Sequence, residues 1–404
     1  MKLVEKQATQ KNNDLSVIFL GVGIFPFRVA GDKNFFLDLR NYLAQKGIQT
    51  HVLSISEFPA GMPDSETVTY IPRVFHLFPA QFYYQDESGN SIAYHHKHGT
   101  IRDFLEIALT LVINIFKIRK VIHAFPNPII HWSDMSLLVP VIRLVCGRVP
   151  IVCSYLRYEK RHVILDRIRS YSLNIADVVI TSTQASKVFL GKGGSDTSKI
   201  FVSPWGITGV LLNDTKDIIY RENIAVVRLL WAGYIQQIRE EDFVKTVELA
   251  KKVLSKREDI EFHFSLKPES YREEFDRLQQ PGLKIFKGTK KFKEELVNYD
   301  AFLSPVVKHA STMAPPLTWL EALSAGLPVI TTKTLGIDEL LSDHKSGLVF
   351  STYDELKIWL INEPNVGIIL KDMKQGAQSE FQEKYEINTV GEKYVRIYRS
   401  VGRK

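Results

Sequence analysis

Residues 314–347 read APPLTWLEALSAGLPVITTKTLGIDELLSDHKSG, and this stretch decides the fold. Pro315 and Pro316 suit the first turn of a helix, so they predict a helix over about 317–325 that ends at Gly326. The β-branched run 327–332 is typical of a buried parallel strand. The helix carries one carboxylate, Glu321, and its first amides favour an anion beyond Pro315. A carboxylate beside an anion-binding helix start suits a ribose and a diphosphate.

The residues after Glu321 also follow a recognisable order. They are Ala322, Gly326, Pro328, Val329 and Ile330, followed by a tail with Gly336, Glu339 and Gly347. With these residues, the stretch resembles the signature of the retaining glycosyltransferases of GT-B architecture, especially glycosyltransferase family 4 (glycosyl transferases group 1). The resemblance covers nearly the whole chain, and residues 58–100 are the part without a counterpart.

The resemblance implies an α/β fold with two Rossmann-like domains, a cleft between them and a C-terminal helix that crosses back to the first domain. Residues 1–205 would form the acceptor-binding domain and residues 206–384 the nucleotide-sugar-binding domain. Residues 385–404 would form the returning helix. The alternation of apolar β-branched runs with helical patterns along the chain independently favours parallel sheets covered by helices.

The resemblance also implies a set of nucleotide-sugar-binding residues. In the second domain, relatives place an arginine and a lysine after the first strand, where both clamp the donor diphosphate. Tyr234 stands at the arginine position and Arg239 at the lysine position. Arginine pairs well with phosphate, and Lys267, which follows the next strand, is a further candidate or else a surface lysine. The remaining candidates are Gly31, Gly233, Pro316, Leu317, Glu321 and Gly336.

One histidine is the candidate catalytic residue. Residues 121–124 (VIHA) resemble a family strand that ends in a histidine, here His123. A histidine at the carboxyl end of a parallel strand faces the ligand crevice of an open α/β sheet. There it would contact the donor sugar or polarise a leaving oxygen. A core-capping histidine is the alternative, and His131 is the other residue that could take the role.

Composition limits the classes of partner. The chain has 404 residues, is 45% hydrophobic and carries a net charge of +7, which indicates two ordinary domains and anionic partners. The basic residues are scattered and form no nucleic-acid-binding motif, so we expect no nucleic-acid partner. The two cysteines lack metal or disulfide spacing, and the polar N-terminus lacks a signal-peptide pattern. These features predict a cytoplasmic protein.

Two segments leave alternatives open. Residues 107–116 (IALTLVINIF) are followed by Lys117, Arg119 and Lys120. Such a segment is typical of a helix at an anionic membrane surface, and equally of a buried helix. Residues 94–98 contain three histidines, which indicate a solvated loop more than a metal site, because no carboxylate or cysteine stands at a convincing spacing.

We therefore predict a glycosyltransferase (EC 2.4) that moves a sugar from a nucleotide-sugar donor to a lipid-linked or polysaccharide acceptor, in cell-envelope or exopolysaccharide synthesis. Retention follows from the resemblance, and no metal or cofactor is expected because no D-x-D motif stands in a suitable loop. The enzyme would be cytoplasmic, or peripheral on the inner face of the plasma membrane. The family signature has a first glutamate eight residues before Glu321, and Met313 stands at that position. A non-catalytic relative that binds a partner or a glycan is therefore an alternative. A nucleotide-sugar epimerase is a third.

Overall fold

The strands of the two large sheets are the β-branched apolar runs of the sequence. The computed structural model describes residues 15–22, 31–56, 66–72, 83–85, 91–93, 101–133, 135–155, 163–209, 226–233, 235, 237–289, 292–306 and 315–402. These residues divide into two units: the first comprises 15–206 and 390–402, and the second comprises 207–389.

The N-terminal unit is built on a seven-stranded parallel sheet in the order β3-β2-β1-β6-β7-β8-β9. Its strands are β1 (Ser16–Val22), β2 (Gln49–Ser56), β3 (Val68–Pro72), β6 (Pro128–Trp132), β7 (Ile151–Ser154), β8 (Val178–Thr181) and β9 (Ile200–Val202). Two short antiparallel strands, β4 (Tyr83–Gln85) and β5 (Ser91–Ala93), pair with each other. Every residue of β1 is buried, as a central parallel strand requires.

The helices of this unit alternate with its strands. They are α1 (Gly31–Gln45), α2 (Ile101–Ile113), α3 (Ile115–Ile122), α4 (Val139–Cys146), α5 (Val163–Ile175) and α6 (Gln184–Lys192). Local signals set their ends: Pro140 lies in the first turn of α4, and Gly147 ends that helix with a φ of 65°. The Thr183 side chain caps α6 by accepting a hydrogen bond from the Ser186 amide.

The strand predicted at residues 121–124 is wrong. Residues Ile115–Ile122 form helix α3, and His123 is its C-cap residue. The physical reason is the spacing of the apolar residues: Ile118 and Ile122 lie four positions apart and are buried together, whereas Lys117 and Lys120 face outward. The VIHA segment is therefore the last turn of an amphipathic helix, and the next strand along the chain is β6.

The second unit contains a six-stranded parallel sheet in the order β12-β11-β10-β13-β14-β15. Its strands are β10 (Val227–Gly233), β11 (Ile260–Leu266), β12 (Leu283–Lys287), β13 (Ala301–Leu303), β14 (Val329–Thr332) and β15 (Gly347–Phe350). Its helices are α7 (Gln237–Leu254), α8 (Phe292–Glu295), α9 (Leu317–Ser324), α10 (Ile337–Leu340), α11 (Tyr353–Asn362) and α12 (Val366–Lys384). The core around β10 and β11 is rich in aromatic side chains, including Trp231, Phe243 and Phe264.

The last helix, α13 (Ile387–Val401), belongs to the N-terminal unit from Val390 onward. There its polar residues bond to elements far away in sequence: the Tyr42 hydroxyl donates to Glu392 at 2.6 Å, and Lys46 pairs with the same carboxylate at 2.8 Å. A Cβ at Gly391 would lie 2.3 Å from the Tyr42 ring, so only glycine fits there. Tyr394 and Tyr398 of this helix are fully buried in the core.

The segment 58–100, which has no family counterpart, supplies β3 at one end of the first sheet, as well as β4 and β5. The three histidines of residues 94–98 lie outside the described residues. Within the described parts of the chain, no helix is long and apolar enough to cross a membrane.

Candidate functional site

The C-terminal unit has a topological switch point between β10 and β13. From β10 the chain moves to β11 and β12 on one side, and then to β13, β14 and β15 on the other. In an open parallel sheet, such a reversal opens a crevice at the carboxyl ends of the two strands, and this is where ligands bind. The predicted residues Gly233, Lys267 and Glu321 all lie on segments that leave or approach this edge.

Gly233 and Lys267 lie side by side at that edge. Gly233 is the last residue of β10 and pairs with Leu266, the last residue of β11. The Lys267 amide donates to the Gly233 carbonyl at 3.2 Å, so the two chains leave the sheet together. The Lys267 side chain is half-buried and has polar neighbours of its own. A cation at the carboxyl edge of a parallel sheet favours an anion, and the predicted phosphate contact of Lys267 stays a prediction.

Helix α9 provides the second half of the site. Pro316 is its N-cap residue, with φ of −52° and ψ of 140°, and Leu317 is its first helical residue. The predicted helix 317–325 is thus confirmed, and the observed helix ends one residue earlier, at Ser324. Five of its eight residues, including Trp319 and Leu320, are buried apolar side chains, and they fix the helix against β13, β14 and α12. The amides of Trp319 and Leu320 donate to the Pro316 carbonyl, at 2.8 and 3.4 Å. The two amides before them, of Leu317 and Thr318, are therefore the candidates for attracting an anion.

Glu321 is the carboxylate of this helix, and its side chain is only 16% exposed. Lys293 of the short helix α8 lies 3.8 Å from Glu321 Oε1, and the Lys293 side chain is 49% exposed. Lys293 therefore forms a long, half-exposed ion pair with Glu321, of a kind that contributes little to stability. Sequence reasoning missed Lys293, because it stands in the charged run KKFKEE and no spacing distinguishes it from its neighbours.

Two threonines of β14 hold the chain that leaves β13. The Thr331 hydroxyl donates to the Ser304 carbonyl at 2.9 Å. The Thr332 hydroxyl donates to the Val306 carbonyl at 2.7 Å and accepts from the Val306 amide at 2.8 Å. The segment between β13 and α9 is therefore fixed at its first residues by side chains of the strand that follows the helix. The predicted strand 327–332 contains both threonines, but their partners emerge only from the strand pairing.

A tyrosine strengthens the same segment. The Tyr353 hydroxyl donates to the Pro305 carbonyl at 3.1 Å. Burial raises the pKa of this hydroxyl well above its ordinary value, so it remains a proton donor at any physiological pH.

Backbone conformation and close packing explain the signature glycines without any ligand. Gly326 and Gly336 both have a φ of 74°, which side-chain-bearing residues rarely adopt. Gly326 ends the turn after α9, and Gly336 is the N-cap residue of α10. At Gly347 a Cβ would lie 2.1 Å from the Val329 carbonyl oxygen, so only glycine allows β15 to pair with β14. Gly336 is thus placed after β14 by backbone geometry, and its predicted donor contact stays a prediction.

The position of Arg239 follows from the backbone alone. It is the third residue of α7, the helix that follows β10, and so lies in the first helical turn after the carboxyl edge. Its side chain, Tyr234 and Met313 lie outside the described parts of the chain. The predicted diphosphate contact of Arg239 therefore stays a prediction.

The remaining predicted residues belong to the N-terminal unit. Gly31 is the first residue of helix α1, where the family resemblance placed it in a loop. His123 caps α3 and is exposed, so it does not lie at the carboxyl end of a strand. Its catalytic role has no geometric support here.

His131, the alternative, lies inside β6 and is fully buried. One ring nitrogen is 2.6 Å from the Tyr398 hydroxyl, and the other is 2.7 Å from the Ser154 hydroxyl. Burial lowers the pKa of His131 to about 3, and the rings of Phe36 and Tyr394 pack against it. Such a neutral, fully bonded imidazole is a core residue that ties β6 to β7 and α13.

The described residues contain no group of three histidine, cysteine or acidic side chains that could hold a metal ion.

Residues 226–358 match the family model described as Glycosyl transferases group 1. This match spans β10 to α11, the part of the chain that contains every predicted donor-binding residue except Gly31. No curated protein sequence matches the chain.

Solved structures match the chain over almost its full length. Sucrose-phosphate synthase from Thermosynechococcus elongatus gives a TM-score of 0.70 at 12% identity, covering 96% of this chain and 98% of the other. Anabaena HepE, solved with UDP and glucose, gives 0.65 at 12% identity over 96% and 100%. The pneumococcal O-GlcNAc transferase GtfA, solved with UDP and GlcNAc, gives 0.65 at 11% identity over 97% and 100%. At these identities the likeness concerns the fold, which is that of the GT-B glycosyltransferases.

Proposed function

We propose that this chain, a glycosyltransferase of GT-B fold whose residues 226–358 form a glycosyl transferases group 1 domain, transfers a sugar from a UDP-sugar to a lipid-linked or polysaccharide acceptor. The observation that carries the proposal is the half-buried Glu321 on a helix whose first amides lie one turn away. That pair suits a nucleoside diphosphate: the carboxylate accepts from ribose hydroxyls, and the amides favour the diphosphate.

The choice of UDP has support from two of the similar structures. HepE and GtfA, which share this fold, were both solved with UDP. In the C-terminal unit of this chain, the carboxylate and the helix start belong to one rigid element, since α9 is buried on most of its surface. We therefore expect UDP to bind to the C-terminal unit more tightly than GDP, ADP or CMP.

The chemistry follows from the charges that develop during transfer. The bond between the anomeric carbon and the β-phosphate oxygen breaks, the acceptor oxygen forms the new bond, and the acceptor proton leaves with phosphate or solvent. Negative charge then grows on the leaving diphosphate, where donors fixed in advance stabilise it best. The α9 amides, Lys267 and Arg239 are the proposed donors, and Lys293 adds a cation beside Glu321.

We propose retention of configuration and no requirement for a metal ion. The proposed amides and cations would neutralise the leaving diphosphate, which is the task that a metal performs in other transferases. The acceptor and the pathway, cell-envelope or exopolysaccharide synthesis, are part of the same proposal. The net charge of +7 supports an anionic partner such as a lipid phosphate.

The test is a donor-hydrolysis and transfer assay with a panel of UDP-sugars, run with and without EDTA. We expect release of UDP from one donor, unchanged by EDTA, and an α-linked product when the acceptor is added to an α-linked donor. Glu321→Gln should raise KM for the donor about tenfold or more, because a charged hydrogen bond to ribose is lost. The exposed Glu248→Gln on α7 is the matched control and should leave KM unchanged.

A chain that binds UDP but hydrolyses no donor in this panel would contradict the enzymatic proposal and favour the non-catalytic alternative. Loss of activity in EDTA that Mg²⁺ or Mn²⁺ restores would contradict the metal-independent mechanism alone. An inverted product would contradict retention.

A further inference from the structure

Exposed large apolar side chains are concentrated on one part of the N-terminal unit. Among the described residues, seventeen such side chains are exposed, and ten of them lie on helices α2, α3, α4 and α5. These ten residues, which we call the helical apolar surface, are Leu105, Leu109, Val112, Ile113, Phe116, Leu144, Ile164, Leu165, Ile168 and Tyr171. The other seven are distributed over the rest of both units. Soluble surfaces scatter such residues singly, so a concentration of this kind indicates a contact site.

The spacing shows that these residues form stripes. Along α2 and α3, Leu105, Leu109, Val112 and Phe116 recur every three or four positions and therefore share one side of the helices. The opposite side of α2 is buried: Ile107 is 2% and Leu111 0% exposed. The predicted alternative of a buried helix at 107–116 thus holds for one side of the segment. The other side is exposed and apolar, and the membrane-facing alternative stays a prediction.

A second stripe joins the first. On α5, Ile164, Ile168 and Tyr171 recur in the same manner, with exposed fractions of 62%, 48% and 69%. Helix α4 packs against α2 and α3 on one side and against α5 on the other, and its Leu144 is 62% exposed. The two stripes therefore lie on neighbouring helices with Leu144 between them.

The charges around the helical apolar surface are mostly positive. In the described residues between 104 and 177, basic side chains outnumber acidic ones seven to three. The basic residues are Lys117, Arg119, Lys120, Arg143, Arg148, Arg167 and Arg169, and the acidic ones are Glu106, Asp166 and Asp177. Arg169 is buried and Arg143 is partly buried, so the exposed basic residues are Lys117, Arg119, Lys120, Arg148 and Arg167. Two of the three acids pair with arginines, Asp166 with Arg169 at 2.8 Å and Asp177 with Arg143 at 2.5 Å. The third, Glu106, is buried.

The most exposed apolar residue has a basic neighbour on its own side of the helix. Phe116 is 83% exposed, and Lys120 follows it by four positions, one turn along α3. Long basic side chains next to an inserted aromatic ring reach up to lipid phosphates while their stems stay in the apolar zone. Lys117 and Arg119 are anchored on protein carbonyls, Tyr70 and Val145, so the border beside Phe116 is held in place.

We propose that the helical apolar surface is a docking site for an anionic lipid bilayer, in which Phe116, Ile164 and their neighbours enter the headgroup region while the exposed basic residues Lys120, Arg148 and Arg167 contact lipid phosphates. Two properties favour a bilayer over a protein partner or a second copy of the chain. The apolar residues are bordered by positive charge, which would repel an identical surface across a two-fold interface. None of the described helices could span a membrane, so the association is with the surface only.

This inference concerns the N-terminal unit alone and does not depend on the donor site. A protein bound to the bilayer through this unit searches for a lipid-linked acceptor in two dimensions instead of three.

The experiment is flotation of the full-length protein with vesicles of pure phosphatidylcholine and of phosphatidylglycerol mixed with phosphatidylcholine. We expect binding to the anionic vesicles that falls as salt is raised, since salt screens the basic border. Ile164→Glu should weaken binding at least tenfold, because a charge enters the apolar region. Ile368→Glu is the matched control, since Ile368 is also 62% exposed but lies on α12 of the other unit.

Charge is tested separately. Lys120→Glu should weaken binding to anionic vesicles about fivefold, whereas Lys252→Glu on α7 should not change it. Melting curves of each variant establish that it folds, and Phe116→Ser replaces Ile164→Glu if that variant melts early. Equal binding to neutral and anionic vesicles, or equal losses in Ile164→Glu and Ile368→Glu, would overturn the proposal. So would a wild-type dimer in sedimentation that Ile164→Glu dissociates while no vesicle is bound, because the occupant would then be a second copy.

Discussion

In the N-terminal sheet, the polar residues His131 and Ser154 lie within the core, where His131 bonds to Ser154 and to Tyr398 of the last helix. In the C-terminal unit, the polar residues Lys267, Glu321 and Lys293 lie outside the strands, just after β11 and on helices α9 and α8, and remain partly exposed. Both sheets are parallel and are covered by helices. The difference teaches that burial within the core separates a polar group that stabilises the fold from a partly exposed one that can still reach a ligand.

The largest loss of stability is expected at Gly347, where the C-terminal sheet has no room for a side chain. Gly347→Ala would place a Cβ 2.1 Å from the Val329 carbonyl, so β15 must move away from β14. We expect the free energy of unfolding of the C-terminal unit to fall by more than about 4 kcal/mol, measured by denaturant titration. Gly147→Ala is the control, because Gly147 has a φ of 65° but open space around it, and it should cost only the backbone strain of about 1–3 kcal/mol. Equal losses of unfolding free energy in the two variants would contradict the steric explanation for Gly347.

The buried histidine gives the next largest effect. His131→Phe leaves the hydroxyls of Ser154 and Tyr398 without their partner inside the core, and we expect a loss of about 2–4 kcal/mol in the free energy of unfolding. His123→Gln, at the exposed end of α3, should change it by less than about 0.5 kcal/mol. A larger loss in His123→Gln than in His131→Phe would reverse the assignment of the two residues.

The same histidine makes the stability of the N-terminal unit depend on pH. Because the pKa of His131 is lowered to about 3 in the folded protein and is about 6.5 in the unfolded chain, only the unfolded chain takes up a proton between these values. Stability is therefore lost as the pH falls from about 6.5 towards 3, by about 1.4 kcal/mol per pH unit for this group. Unfolding titrations at pH 7 and pH 5 should show a smaller decrease for His131→Phe than for wild type. Parallel decreases would exclude His131 as the cause.

The smallest effect concerns the cation that sequence reasoning missed. Lys293 is half exposed and 3.8 Å from Glu321, so Lys293→Met should leave the melting temperature unchanged and raise the Kd for UDP only about twofold to fivefold. Lys284→Met, on β12, serves as the comparison and should leave both values unchanged. An unchanged Kd in Lys293→Met would remove Lys293 from the proposed site.

The comparison also explains which features could be predicted from the sequence. The signature stretch was predictable because prolines, glycines and β-branched residues determine its helix and strand locally, and the observed α9 and β14 agree with the prediction. The strand at 121–124 was wrong because Val121, Ile122 and Ala124 fit a strand and a helix end equally well. Only the burial of Ile118 and Ile122 together decides for the helix.

The parts of the site that sequence reasoning missed depend on contacts between distant residues. Thr332 lies 26 positions from Val306, and Glu321 lies 28 positions from Lys293. Neither pair follows a spacing that a local pattern contains. The polar residues of the N-terminal core are of the same kind, since His131 and Tyr398 are 267 positions apart.

The central claim is that the carboxylate of α9 and the start of that helix bind the nucleotide. Calorimetric titration of UDP into wild type, Glu321→Gln and Glu248→Gln tests it directly. The account predicts that Glu321→Gln raises the Kd for UDP about tenfold to a hundredfold with no change in melting temperature, while Glu248→Gln binds as wild type does. Equal UDP affinity in all three proteins, or no binding by a wild type that unfolds cooperatively, would contradict the claim.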